Sequence, residues 1–228
     1  MLNRMLKNNN EFIPLVVSVL LFLYINIFRP CLVDYFWGSV INDILIGVIV
    51  SYIFYVLVVY FPIKKRERII KHNYKKQIKL FKGSIITKLL QSLTGGYAGE
   101  GDWKHEDLFI NSKFKDFFHK QVSQSQDRWD DVATNLQDNE DLVNDIILDF
   151  KILEDESRFV LNNLEIEDER IYVFLKMISK ITYTLRSYNP KTDDIKYIML
   201  FIWQIFAGWS WVDGYSEKDI FQIIYDEF

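Results

Sequence analysis

Histidines are the first residues in this chain to test for chemistry: His72, His105 and His119. An imidazole titrates near neutral pH and can act as general acid, general base or metal ligand, provided a neighbouring group orients it. His105 stands directly before Glu106 and Asp107, in the run Trp103-Lys104-His105-Glu106-Asp107. If folding brought His119 to the same place, His105, Glu106 and His119 would be the candidate catalytic set. The plainer reading, which we favour on sequence, is surface or internally satisfied histidines. His72 sits in a basic run without zinc-ligand spacing.

A second set of candidates is cationic. Arg158, Arg170, Lys176, Lys180 and Arg186 fall on or beside two helices in the acidic half of the chain. Guanidinium and ammonium groups among aromatic rings would hold a small anionic ligand. The alternative is ion pairing with the many neighbouring carboxylates, and we prefer it.

Other chemistries lack their motifs. No Gly-x-Ser-x-Gly elbow is present, and the single cysteine, Cys31, excludes an intrachain disulfide. The glycine-rich segment Thr94–Gly101 continues as Asp102-Trp103, not as the Gly-Lys-Ser/Thr that a phosphate loop requires. Adjacent carboxylates in Glu165–Arg170 diverge around a helix, so they serve as first-turn acids and not as a metal cluster. No metal and no cofactor is expected, and an enzyme is the weakest of three functional readings.

Charge is split along the chain. Residues 1–90 carry 13 Lys+Arg and 4 Asp+Glu, a net +9, whereas residues 91–228 carry 14 and 27, a net −13. The acidic half would repel a nucleic-acid backbone, so nucleic acid is a poor candidate partner.

The elements that must position these residues follow from hydrophobic patterning. Two apolar blocks, at about 12–28 and 40–62, each approach the length that crosses a bilayer as a helix. The first ends in Asn26-Ile27-Phe28-Arg29-Pro30, with none of the small residues of a signal-peptide cleavage site. Tyr35, Phe36 and Trp37 precede the second like an interfacial aromatic belt. Asp43, one turn inside it, reads as an interfacial carboxylate; the alternative is an ion-path residue. Basic residues flank the pair: Arg4 and Lys7 before it, and Lys64, Lys65, Arg66, Arg68, Lys71, Lys75 and Lys76 after it. The short link contains only Arg29. By the positive-inside rule both termini lie in the cytoplasm and Cys31 lies outside, in a two-pass inner-membrane protein. The basic cluster after the second block is expected to face lipid head groups.

The remainder reads as all-α. Residues 63–93 form a basic amphipathic helix, 94–101 a linker, and 102–228 an acidic, aromatic-rich helical cytoplasmic domain. Within it, helices are expected over 106–122, 139–161 and 165–186, with a cap and first-turn acids within Asp138–Asp141 and a capping box at Ser216–Asp219. Ile198–Val212 carries no charge and reads as a buried core helix; a membrane-dipping helix is the alternative.

The layout resembles, in architecture only, small membrane effectors and sensors of bacterial defence or signalling systems. The leading expectation is such a protein: its cytoplasmic domain oligomerises or binds a ligand, and the membrane helices respond, with a pore as one form of response. A membrane-tethered adaptor for a soluble protein is the second expectation, and a membrane-anchored enzyme the third. Expected partners are the bilayer, further copies of the chain, and a small anion or a soluble protein.

Overall fold

The structure is a computed structural model that describes residues 16–24, 35–93, 105–122, 125–189, 195–215 and 218–228. The chain divides into two compact units, Met1–Arg66 and Glu67–Phe228, each described by itself. Both are mostly helical. Cys31, residues 29–34 of the expected outer link and the glycine segment 94–101 lie outside the described residues, while residues 35–39 of that link are helical.

In the first unit, residues 16–24 form helix α1. The rest of the first apolar block lies outside the described residues. Helix α2 spans Tyr35–Tyr55 and runs through a π-helical segment, Val56–Tyr60, into helix α3, Phe61–Gln91. The wide turn has a local cause. Pro62 has no N–H to give to the carbonyl of Val58, and its ring crowds that carbonyl. Just before it, the Phe61 N–H bonds back to Val56, one residue further than in an α-helix.

One described helical run, Val40–Gln91, is long and apolar enough to cross a membrane by length and composition. Its apolar window contains no buried residue. Ile44, Val48, Val50, Phe54 and Leu57 are all exposed, although they point in different directions around the axis. A helix apolar on every side belongs either in a protein core or in lipid.

The second unit is built on α3. Its residues Ile70, Tyr74, Ile78, Phe81, Ile85, Ile86, Leu89 and Leu90 recur every three or four positions and are buried. The helix therefore contributes to the core of this unit. Lys71 and Lys75 of the expected lipid-facing cluster are turned inward: Lys71 lies over the Phe228 ring at 5.4 Å, and Lys75 donates to the Tyr225 carbonyl at 2.8 Å. Lys65, Arg68, His72, Lys76 and Lys79 remain exposed along one face.

Four further helices close the core: α4 (Asn111–Phe118), α5 (Arg128–Gln137), α6 (Glu140–Asn163) and α7 (Glu169–Leu185). Each of the last three begins at a side chain that accepts an otherwise unpaired backbone N–H. The caps are Asp127 to Asp130 N at 2.9 Å, Asn139 to Leu142 N at 3.1 Å, and Asp168 to Arg170 N at 2.9 Å. Asn139 lies in Asp138–Asp141, the stretch expected from sequence to supply a cap. The helix expected over 106–122 is instead two pieces, a 3-10 turn at His105–Phe109 and α4. The break has a partner to explain it: the carbonyl of Phe109 accepts from Lys82 of α3 at 2.8 Å and so leaves the helical ladder.

Helix α8 spans Lys196–Phe206 and is buried through Ile198, Ile202, Ile205 and Phe206. It is shorter than the core helix read over 198–212. Gly208 takes φ 84°, a left-handed turn open to glycine, and the chain reverses into a small antiparallel hairpin of β1 (Trp209–Ser210) and β2 (Gly214–Tyr215). Trp209 and Tyr215 meet across it at 5.0 Å. The last helix, α9, spans Ile220–Glu227 and is capped by Asp219, whose Oδ1 accepts from Gln222 N at 2.7 Å. Ser216 and Glu217 of the expected capping box lie outside the described residues.

Candidate functional site

Lys82 is the most unusual residue of the second unit. It stands on the apolar arc of α3, between Phe81 and the row Ile78–Ile85, and its side chain is 6% exposed. An ammonium there must find an opposite charge and acceptors, because burying a lone charge is very costly. It finds Asp219, also 6% exposed, at 2.8 Å, and the Phe109 carbonyl at 2.8 Å. The rings of Phe221 and Phe206 lie 4.8 and 5.8 Å from its nitrogen, in reach of a cation–π contact. Burial pulls the Lys82 pKa down, and the Asp219 charge and hydrogen bond oppose that shift.

Asp219 holds two things at once. One carboxylate oxygen caps α9 and the other receives Lys82. Three elements distant in sequence, α3, the 3-10 turn and α9, thus meet at one ammonium. A second clasp joins α3 to α9: Lys75 donates to the Tyr225 carbonyl, and the Tyr225 hydroxyl donates to the Lys75 carbonyl at 3.1 Å. Burial, with the Asp219 charge second, raises the Tyr225 pKa.

Beside this junction lies a cavity of ≈ 290 Å³, lined by Lys79, Lys82, Phe109, Asp219, Phe221 and Tyr225, with Gln222 at its edge. Three aromatic walls and a small set of charges make it a candidate ligand site, and its size falls at the low end for such cavities.

The residues singled out from sequence sit elsewhere. His105 Nε2 is 3.1 Å from the Thr87 hydroxyl, and its ring meets Phe109 edge-on. Glu106 is exposed. His119 Nδ1 is 3.1 Å from Asp127 Oδ2, the cap of α5, and its ring packs on Trp203 at 4.6 Å. The two histidines thus have different partners on different elements. Among the described residues, no group of three or more His, Cys, Asp or Glu is placed to hold a metal ion.

The cations are also dispersed. Arg158 and Arg186 are more than half exposed and both face the buried carboxylate of Glu154, Arg158 in a close pair and Arg186 at 3.9 Å. Arg170 pairs with Asp168 at 2.5 Å and approaches Asp213 at 4.0 Å. Lys176 lies over the Tyr172 ring at 5.6 Å, and Lys180 is exposed. Arg170 and Arg186 stand at opposite ends of α7, about 24 Å apart at 1.5 Å per residue, too far to share one small anion.

The Arg170 hydrogen bond, despite opposing burial, holds the Asp168 carboxyl below the usual carboxylate range. A depressed folded-state pKa contributes stability that is present above the unfolded value of about 4 and is lost as pH falls through the folded value. Asp168→Asn keeps a capping side chain and removes that charge. It is expected to flatten the stability loss below about pH 4, read by denaturant unfolding across pH. An unchanged acid limb would count against this role for Asp168.

Sequence reasoning missed the Lys82 junction, although a signal was present: a lysine within the apolar row of a helix needs a buried acid. No family model matches the chain, and no curated protein or solved structure matches it.

Proposed function

We propose that this chain is a membrane-anchored, non-enzymatic effector or sensor of the inner membrane. Its two apolar blocks cross the bilayer with both termini in the cytoplasm, and its second unit receives a ligand or further copies of the chain. One observation carries this reading. The helical run Val40–Gln91 begins apolar on every side, without a buried residue, and ends as the packed first helix of the second unit's core. A change in how that core is packed therefore acts on the same helix that contacts lipid. Separate commitments of His105 and His119, to Thr87 and Asp127, speak against the catalytic alternative.

Cys31 makes the topology testable, because it is the single thiol of the chain. In a bacterial host the protein is expected to stay in the membrane pellet after alkaline carbonate washing. A membrane-impermeant maleimide is expected to label Cys31 in intact spheroplasts. Release by carbonate would remove the anchor, and labelling only after lysis would invert the topology. Induced expression that leaves membrane potential and permeability unchanged would remove the effector function.

An adaptor role is the second reading, favoured by three exposed apolar side chains on the outside of α6, a face that also carries Asp155. Leu148, Ile152 and Phe159 are 53%, 44% and 48% exposed at spacings that put them on one face. Native mass spectrometry separates the two: a homo-oligomer supports the effector, and a co-purifying different polypeptide supports the adaptor.

A further inference from the structure

The Lys82 cavity is walled for a particular kind of ligand. Phe109, Phe221 and Tyr225 supply apolar ring surface, so the body of an occupant is apolar or aromatic. The charges decide the rest. Asp219 already accepts from the Gln222 backbone N–H at 2.7 Å and from Lys82 at 2.8 Å, one bond on each carboxylate oxygen. Asp226, nearby on α9, is taken by Lys218 at 2.7 Å and by the Gln222 side-chain nitrogen at 3.0 Å. Lys79 is different. It lines the cavity from the exposed side of α3 and makes no hydrogen bond or ion pair among the described residues. The lining thus carries two ammonium groups against one carboxylate. A cationic guest would meet repulsion from both lysines, whereas an anion would meet an ammonium without a competing acid.

We propose that this cavity binds a small anion, a carboxylate or phosphate monoester, with its acidic head at Lys79 and its apolar body between Phe109, Phe221 and Tyr225. This rests on the reading of the second unit as a ligand receiver and does not depend on the membrane anchor. The occupant would bridge α3, the 3-10 turn and α9. At eight residues, α9 is too short to be stable alone, so a ligand on it would steady the last helix of the core. A metabolite anion and a lipid headgroup share this chemistry.

The test uses the full chain in a non-ionic detergent, with binding followed by calorimetry and by amide hydrogen exchange over α9. The probes are phenyl phosphate, inorganic phosphate, benzyl alcohol and dioctanoyl phosphatidic acid. Phenyl phosphate is expected to bind and to slow exchange in α9. Inorganic phosphate and benzyl alcohol, each lacking half of the recognised structure, are expected to bind at least about tenfold more weakly. Lys79 is exposed, so Lys79→Glu should fold, and it is expected to weaken phenyl phosphate at least about tenfold. Tighter binding of phosphatidic acid than of phenyl phosphate would identify the headgroup as the source, and the reverse order a soluble anion. Absence of phenyl phosphate binding at about 10 mM, beyond the weakest affinities of interest, would overturn the site. So would binding that Lys79→Glu leaves unchanged. An anchored chain that fails these tests loses the site but keeps the anchor; a chain released by carbonate that passes them keeps the site alone.

Discussion

Asp219→Ala is expected to destabilise the protein by about 3–5 kcal/mol, measured by denaturant unfolding of the full chain in detergent. The cost arises from what the substitution leaves behind. Lys82 would keep its buried position with only the Phe109 carbonyl as acceptor, and α9 would lose its cap. An uncompensated buried charge costs far more than an exposed pair is worth. The parts can be separated. Asp219→Ser can still cap α9, so it should recover about 1 kcal/mol relative to alanine. The double variant Lys82→Met, Asp219→Ser removes both charges, keeps the cap, and should lie within about 1–2 kcal/mol of the parent. A single Asp219→Ala cost below about 1 kcal/mol would mean that the pair behaves as solvated and that the junction is not closed.

Phe114→Ala is the second large effect expected, at about 3–5 kcal/mol. Phe114 is fully buried, and its ring lies 4.6 Å from Phe118, 5.2 Å from Phe206, 5.8 Å from Trp203 and 6.0 Å from Trp129. Truncation removes the ring's own burial and opens a cavity among large rigid neighbours that collapse poorly. Phe114→Leu fills much of that space and should cost less. The control is Phe159→Ala on the exposed face of α6, expected to change stability by no more than about 0.5 kcal/mol. Equal effects of Phe114→Ala and Phe159→Ala in denaturant titrations would sink the proposed core.

Much of the helical scaffold was legible because helix formation and amphipathicity are local. In α3 the row from Ile70 to Leu90 could be read from its three- and four-residue spacing, and those side chains are buried. Within the helix expected over 106–122, Phe114, Phe117 and Phe118 are buried, but Val122 is 55% exposed, because α4 stops at Phe118. A cap within Asp138–Asp141 was legible because the acceptor and its target N–H lie close along the chain, and Asn139 fills that role.

The candidate site was not legible in the same way. Lys82 and Asp219 are 137 residues apart, and nothing local marks either as the other's partner. Lysine in a basic helix looks solvated until the face it occupies is known to be covered. The same holds for Arg186, which looks like a ligand-binding candidate until Glu154 of α6 is found 3.9 Å away, whereas the Glu154–Arg158 pair is an i,i+4 contact within one helix.

What the sequence determined by itself is therefore what neighbours along the chain decide: the helices, most of their buried faces, several caps, and an apolar run too uniform to be one face of a soluble helix. Tertiary structure alone decided which lysines of α3 turn inward and which acid meets Lys82. Those outcomes depend on desolvation, and the cost of removing a charge from water depends on every surface that closes over it, including surfaces supplied from the far end of the chain.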